Sequence, residues 1–203
     1  MKKTTHYDFI TEIENFVSEK FCLDAIQYFE NGDTSCSSHS HLKHLSTDAS
    51  NNFSENSFQW DGNCLINTGV STLSDEAFSF NSILDTSDSI KKVMDDMSDS
   101  DMHNVRIAFH KYIQESWGPE HVDRYPYACI LYLNDNYDGG ELVFTEKNIS
   151  IKPKARSIYI FRGVGENIHK VNPTFNNDRY ALVFFWKHKD LRRNREEELQ
   201  YDR

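Results

Sequence analysis

The first place in this chain where residue types and spacing suggest chemistry is His121-Val122-Asp123. In an extended strand, residues i and i+2 project to one face, about 6–7 Å apart along the chain. An imidazole nitrogen and a carboxylate placed that way can reach one metal ion together. Alone, such a triplet also reads as a turn or a surface pair. His169 offers a second imidazole, just after the polar turn that starts at Arg162-Gly163. Ten residues further on, Arg179 opens the most hydrophobic run of the chain, residues 180–186. A cation at the mouth of such a strand is costly unless an anion faces it. It could snorkel to solvent or pair with Asp178 next door. It could also grip a carboxylate inside a barrel, since a guanidinium offers planar, bidentate recognition.

Two histidines and one carboxylate leave three coordination positions open, the ligand set of non-haem Fe(II) oxygenases. An arginine behind that site suits a dicarboxylate co-substrate that chelates iron at one end and meets Arg179 at the other. The ordered set of HxD, distal His and Arg is far more specific than any one member. Such ligands need a rigid frame, and the sequence supplies one. From Val105 to Tyr112 apolar and polar residues alternate, as in a half-buried strand. Further runs follow at 128–133, 141–144, 157–161 and 180–186, with 134–140 (NDNYDGG) as a turn. Several short strands separated by turns predict a sandwich, jelly roll or barrel.

The first half reads differently. Short apolar pieces at 7–10 and 13–16 are compatible with strand, and Ser18 caps a helix carrying Phe21, Cys22, Ala25, Ile26 and Phe29, stopped by Asn31-Gly32. Ile90, Val93, Met94 and Met97 mark a second helix capped by Ser87 or Asp88. The Ser-, Asn- and Asp-rich stretches 35–57 and 79–101 read as surface loops. The expected layout is one domain over 1–203, with helical support and loops in 1–104 and a β core in 105–188: mainly β with flanking helices (α+β). Lys and Arg total 22 against 32 Asp and Glu, a formal charge of −10 over 203 residues. That balance, with no basic patch, argues against nucleic acid as a partner. No run approaches a membrane span, and no signal peptide is seen, so a cytoplasmic location is expected. The four cysteines lie far apart, without a CxxC pair, which argues against a zinc ribbon or a disulfide scaffold.

On these residues the chain resembles a known family. Residues 105–188 look like the iron(II)- and 2-oxoglutarate-dependent oxygenases, in the prolyl 4-hydroxylase-like branch. The matching residues are His121-Val122-Asp123, Tyr132-Leu133-Asn134-Asp135, Gly139-Gly140-Glu141-Leu142-Val143-Phe144, His169-Lys170-Val171-Asn172-Pro173 and Arg179-Tyr180-Ala181. The resemblance implies a double-stranded β-helix, the jelly roll whose open end holds the metal. His121, Asp123 and His169 would bind Fe(II), and Arg179 the distal carboxylate of 2-oxoglutarate. Tyr132 sits where oxygen-sensing prolyl hydroxylases place a tyrosine on that carboxylate, and Tyr112 matches another pocket tyrosine. Collagen-type members carry Lys where Arg179 stands, so the cation follows the oxygen-sensor variant.

The implied activity is hydroxylation of prolyl residues in a peptide or protein, using O2 and giving succinate and CO2, with ascorbate as a reductant. The alternatives are the same chemistry on a free amino acid or small metabolite, or a silent jelly-roll binding protein. Trp117, Tyr125, Tyr127 and Trp186 are the aromatic candidates for a substrate wall, though each also suits a core or rim. His39, His41 and His44 form a loop cluster that could bind a metal or simply be solvated. Cys129 reads as a small buried residue within a strand, and 191–203 as a charged, solvated tail.

Overall fold

The computed structural model describes residues 2–6, 10–30, 42–47, 53–59, 64–66, 80–98, 101–123, 125–165 and 167–190. In chain order the elements are β1 (Lys2–His6), β2 (Ile10–Glu14), α1 (Glu19–Glu30), β3 (Leu42–Thr47), β4 (Phe53–Gln59), β5 (Cys64–Ile66) and α2 (Phe80–Ser98). There follow β6 (Met102–Tyr112), β7 (Gly118–His121), β8 (Tyr127–Tyr132), β9 (Asp138–Gly139), β10 (Leu142–Phe144) and β11 (Ile149–Ile151). The described chain ends with β12 (Ile158–Arg162), β13 (His169–Val171), β14 (Thr174–Phe175) and β15 (Arg179–His188).

The large sheet runs β1-β2-β12-β8-β15-β6-β3-β4, with β5 also on β6, and a smaller sheet runs β11-β10-β13-β7. Every strand pairing is antiparallel among the described residues. The large sheet buries both faces, and the period of two sorts its side chains. From β15, Leu182, Phe184 and Trp186 face one way, joined by Cys129 and Leu131 of β8 and by Ile107 and Phe109 of β6. Both helices cover that face with Cys22, Ala25 and Phe29 of α1 and Ile83, Ile90 and Met94 of α2. Phe29 stacks on Phe109 at 3.8 Å between centroids. On the opposite face, Ala181, Val183 and Phe185 of β15 join Ala128, Ile130 and Tyr132 of β8, and meet Leu142 and Phe144 of the small sheet. These are the two packed sheets of a double-stranded β-helix, with helices on the outside.

The Ser18 cap is observed: its Oγ accepts the Phe21 N–H at 3.0 Å. The second cap is corrected. α2 begins at Phe80, so Ser87 and Asp88 lie inside it, and most of 79–101 is helix rather than loop. The polar residues there are accommodated within the helix, Thr86 and Ser89 donating their hydroxyls to the carbonyls of Ser82 and Asp85, four residues back. Likewise 35–57 is not wholly loop, since β3 and part of β4 fall within it. His39, His41, Asn31-Gly32 and the 191–203 tail lie outside the described residues, while His44 falls on β3. Cys129 is fully buried. Among the described residues, no helix is long and apolar enough to cross a membrane.

Candidate metal centre and anion pocket

β7 and β13 are neighbours in the small sheet, and their register sets His121 opposite His169. Asp123 is not in the strand, as an HxD strand reading expects. It lies just past the end of β7, where its N–H donates to the Gly163 carbonyl at 2.8 Å. That turn brings the carboxylate between the rings: Oδ1 is 3.7 Å from His121 Nε2, and Oδ2 is 3.7 Å from His169 Nε2. One ligand atom from each of the three residues lies within 4.8 Å of the others.

The tautomers fit a metal. His121 Nδ1 is 2.8 Å from the Pro119 carbonyl, and His169 Nδ1 is 2.8 Å from the Asn167 carbonyl. A carbonyl only accepts, so each Nδ1 carries the hydrogen and each Nε2 keeps its lone pair toward the centre. Burial, and then the neighbouring His121, lower the His169 pKa to about 4, which keeps this ring neutral. Two imidazoles and a carboxylate, open on the remaining side, are what a non-haem ferrous ion takes.

Behind the triad lies a pocket lined by His110, Tyr112, Ala128, Ile130, Val183 and Arg179, among others. Arg179 is 1% exposed, and none of the described carboxylates pairs with it. Its Nη2 donates to the Tyr132 hydroxyl at 3.0 Å, and its Cζ stands 4.6 Å and 4.8 Å over the rings of Tyr112 and Tyr132. Burial pushes the Tyr132 phenol upward, so it stays protonated and can donate onward. Asn134 fixes the mouth of β15 on both sides of Arg179: it accepts the Tyr180 N–H and donates to the Asp178 carbonyl, each at 2.8 Å. A buried guanidinium without a carboxylate calls for an anionic ligand.

The structure thus brings together His121, Asp123, His169, Arg179, Tyr132 and Tyr112. Of the aromatic candidates, Trp117 is 45% exposed, and Tyr125 packs against Phe185 at 5.1 Å. Tyr127 and Trp186 are corrected. Both point to the helix-covered face, where Trp186 is 1% exposed and Tyr127 meets the His188 ring. Strand parity decides this: positions 181, 183 and 185 face the pocket, so 186 does not. The same parity finds His110, which shares Tyr112's side of β6 and was missed. Gly163 was missed as well, although Asp123 depends on it.

Residues 96–187 match the family model of the 2OG-Fe(II) oxygenase superfamily. The matched stretch takes in His121, Asp123, His169 and Arg179. The superfamily's name carries Fe(II) and 2-oxoglutarate, and a His–Asp–His group able to hold a metal ion is present among the described residues. Among curated relatives, prolyl 3-hydroxylase 2 of Mus musculus is 38% identical over 65 residues, 30% of this chain and 9% of that protein. The 2-oxoglutarate and iron-dependent oxygenase domain-containing protein 3 of Rattus norvegicus is 33% identical over 73 residues, 31% of this chain and 23% of that one. The matches therefore span a small part of these relatives.

Solved structures extend the likeness over the fold. A Trichoplax adhaerens prolyl hydroxylase in complex with a hypoxia inducible factor peptide has a TM-score of 0.63 at 17% identity, covering 94% of this chain and 87% of that one. A Pseudomonas putida prolyl-4-hydroxylase has 0.61 at 16%, covering 89% and 92%. The viral collagen prolyl hydroxylase of Paramecium Bursaria Chlorella virus-1, in its 2OG complex, has 0.59 at 12%, covering 89% and 96%. At such identities the likeness establishes the double-stranded β-helix and nothing finer.

Proposed function

We propose that this chain is an Fe(II)- and 2-oxoglutarate-dependent dioxygenase that hydroxylates prolyl residues of a peptide or protein. The observation that carries the reading is one pocket with two ends: three convergent ligand atoms at one, and a buried, uncompensated guanidinium at the other. In this reading His121 and His169 give their Nε2 lone pairs to the metal and Asp123 its carboxylate. Arg179 holds the distal carboxylate of 2-oxoglutarate, with Tyr132 completing the contact and Tyr112 lining the same end. Bound iron with 2-oxoglutarate and O2 supplies the oxidising power to hydroxylate an unactivated C–H bond, releasing succinate and CO2. The chain's own part is to orient and to exclude water, through Ala128, Ile130 and Val183. Trp117 and Tyr125 offer apolar surface suited to an uncharged prolyl ring. The named relatives include 3- and 4-hydroxylases, so the ring position is read from the product.

The test incubates the purified chain with Fe(II), 2-oxoglutarate, labelled dioxygen and panels of proline-containing peptides, ascorbate being varied as reductant. Expected are peptide-stimulated succinate release and one labelled oxygen on a proline ring. His169→Ala should abolish metal binding and turnover together. Arg179→Ala should retain the metal but lose about 2–5 kcal/mol of 2-oxoglutarate affinity, the usual cost of truncating one partner of a buried charge pair. Stimulation only by a free amino acid or metabolite would overturn the prolyl assignment. No consumption of 2-oxoglutarate under any condition would overturn the enzyme assignment.

A further inference from the structure

Gly118 opens β7, the four-residue strand that ends on the metal ligand His121. It is buried, and it is not among the glycines with positive φ. Conformation therefore does not require a glycine there. Space does. A Cβ at position 118 would stand 3.0 Å from the Tyr112 hydroxyl oxygen, 3.2 Å from Val171 Cβ and 3.3 Å from Val171 Cγ2.

The two neighbours differ in how freely they can yield. Val171 lies inside the small sheet, opposite Gly118 on one side and Leu142 on the other, so its Cβ is fixed by the backbone. Tyr112 reaches across from the large sheet, and the contact falls on the far end of its side chain. Tyr112, Val171 and Arg179 all line the pocket. Tyr112 and Arg179 are direct partners in the β6–β15 register, and Arg179 Cζ lies 4.6 Å from the centre of the Tyr112 ring. The hydroxyl of Tyr112 thus rests in a notch that only a residue without a side chain leaves open, while its ring faces the guanidinium.

We propose that Gly118 is a positioning residue for the anion end of the pocket. Its notch seats the Tyr112 hydroxyl, and so sets the ring against which Arg179 is aimed at the distal carboxylate of the co-substrate. This rests on the 2-oxoglutarate reading above. One short strand then carries the seat of the anion end at its first position and a metal ligand at its last. An added methyl displaces the phenol rather than the strand, so Arg179 loses its alignment while the three metal ligands keep theirs.

Calorimetric titration of the full chain with Mn(II) tests it, followed by titration of the loaded chain with two ligands. These are 2-oxoglutarate and 2-oxopentanoate, which has the same chain without the distal carboxyl. Wild type should prefer the diacid. Gly118→Ala should weaken 2-oxoglutarate binding by about tenfold, a coupling usual for side chains in contact, and leave Mn(II) and 2-oxopentanoate affinities within about twofold of wild type. Tyr112→Phe removes the oxygen that the methyl meets, so in that background Gly118→Ala should change 2-oxoglutarate affinity by no more than about twofold. Equal 2-oxoglutarate affinity in wild type and Gly118→Ala would overturn the inference. So would a matching loss of Mn(II) or 2-oxopentanoate affinity, since the methyl would then act through the strand. An undiminished loss in the Tyr112→Phe background would overturn it as well. Should Gly118→Ala not fold, adding Tyr112→Phe should restore folding, and failure to do so would count against the seat. If wild type itself shows no preference for the diacid, the 2-oxoglutarate reading fails and the inference falls with it.

Discussion

Gly163 and Asp123 meet so closely that one accounts for the other. A Cβ at position 163 would lie 2.6 Å from Asp123 Cβ, 2.6 Å from the Tyr125 carbonyl and 2.9 Å from Asp123 Oδ2. The backbones cannot simply part, because the Gly163 carbonyl accepts the Asp123 N–H at 2.8 Å. Gly163→Ala should therefore move the carboxylate and cost about 10–100-fold in metal affinity, as disturbed support around a ligand typically does. Metal titration checks this beside an unchanged far-ultraviolet circular dichroism spectrum, and wild-type affinity would show that Asp123 adapts. At this scale the sequence was informative wherever a side chain carries chemistry that packing does not explain. His121, Asp123, His169 and Arg179 are of that kind. Gly163 was illegible because its contribution is an absent atom.

The strand β15 serves both sides of the large sheet at once. Its odd-numbered positions from Arg179 to Phe185 line the pocket, while Leu182, Phe184 and Trp186 pack under the helices. Trp186→Ala should cost about 3–5 kcal/mol of stability, as large-to-small core substitutions of Trp do. Urea unfolding reads that loss, and 2-oxoglutarate affinity measured on the folded variant should stay within about twofold of wild type. A large fall in affinity at modest loss of stability would mean that Trp186 reaches the pocket after all. Elements were legible in proportion to their length. The long strand β6 announces itself by alternation and β15 by a continuous apolar run, whereas β7 and β13 have four and three residues and cannot show a period. α2 was read eight or nine residues too short, because its N-terminal part is rich in Ser, Asp and Thr, of which Thr86 and Ser89 turn their hydroxyls back onto the helix. Composition alone assigns such residues to loops; the tertiary contacts of Ile83 and Leu84 keep them helical.

On the scale of the whole molecule, the far end from the pocket is fastened by charge. Asp101 accepts from Lys189 at 2.8 Å and from Lys91 at 2.9 Å, joining the end of β15 to α2 beside the start of β6. The bonds from Lys189 and then Lys91 hold its pKa down at about 2, from an ordinary 3.8. A depressed carboxylate stabilises the fold above its unfolded pKa and ceases to as pH falls through the folded one. The difference in melting temperature between wild type and Asp101→Asn should thus be full at pH 6 and shrink between pH 4 and pH 2. Being at the surface, it should be small and fade with salt. A difference independent of pH would assign the effect to packing. The count of short strands left a sandwich, jelly roll or barrel open, and the resemblance to the oxygenases chose the jelly roll; β3, β4 and β5 were not legible, because that stretch is polar and lacks clean alternation. The two ends of the pocket also differ in how far their instructions travel along the chain. Each histidine is aimed by a carbonyl two residues before it, at Pro119 and at Asn167. Arg179 is aimed instead by Tyr112, Tyr132 and Asn134, which fold in from distant strands and turns. In an engineer's vocabulary, the nitrogen ligands are portable cassettes that can be grafted onto another barrel with their orientation built in. The anion-gripping end is bespoke to this scaffold, and a transplant would have to carry most of the barrel with it.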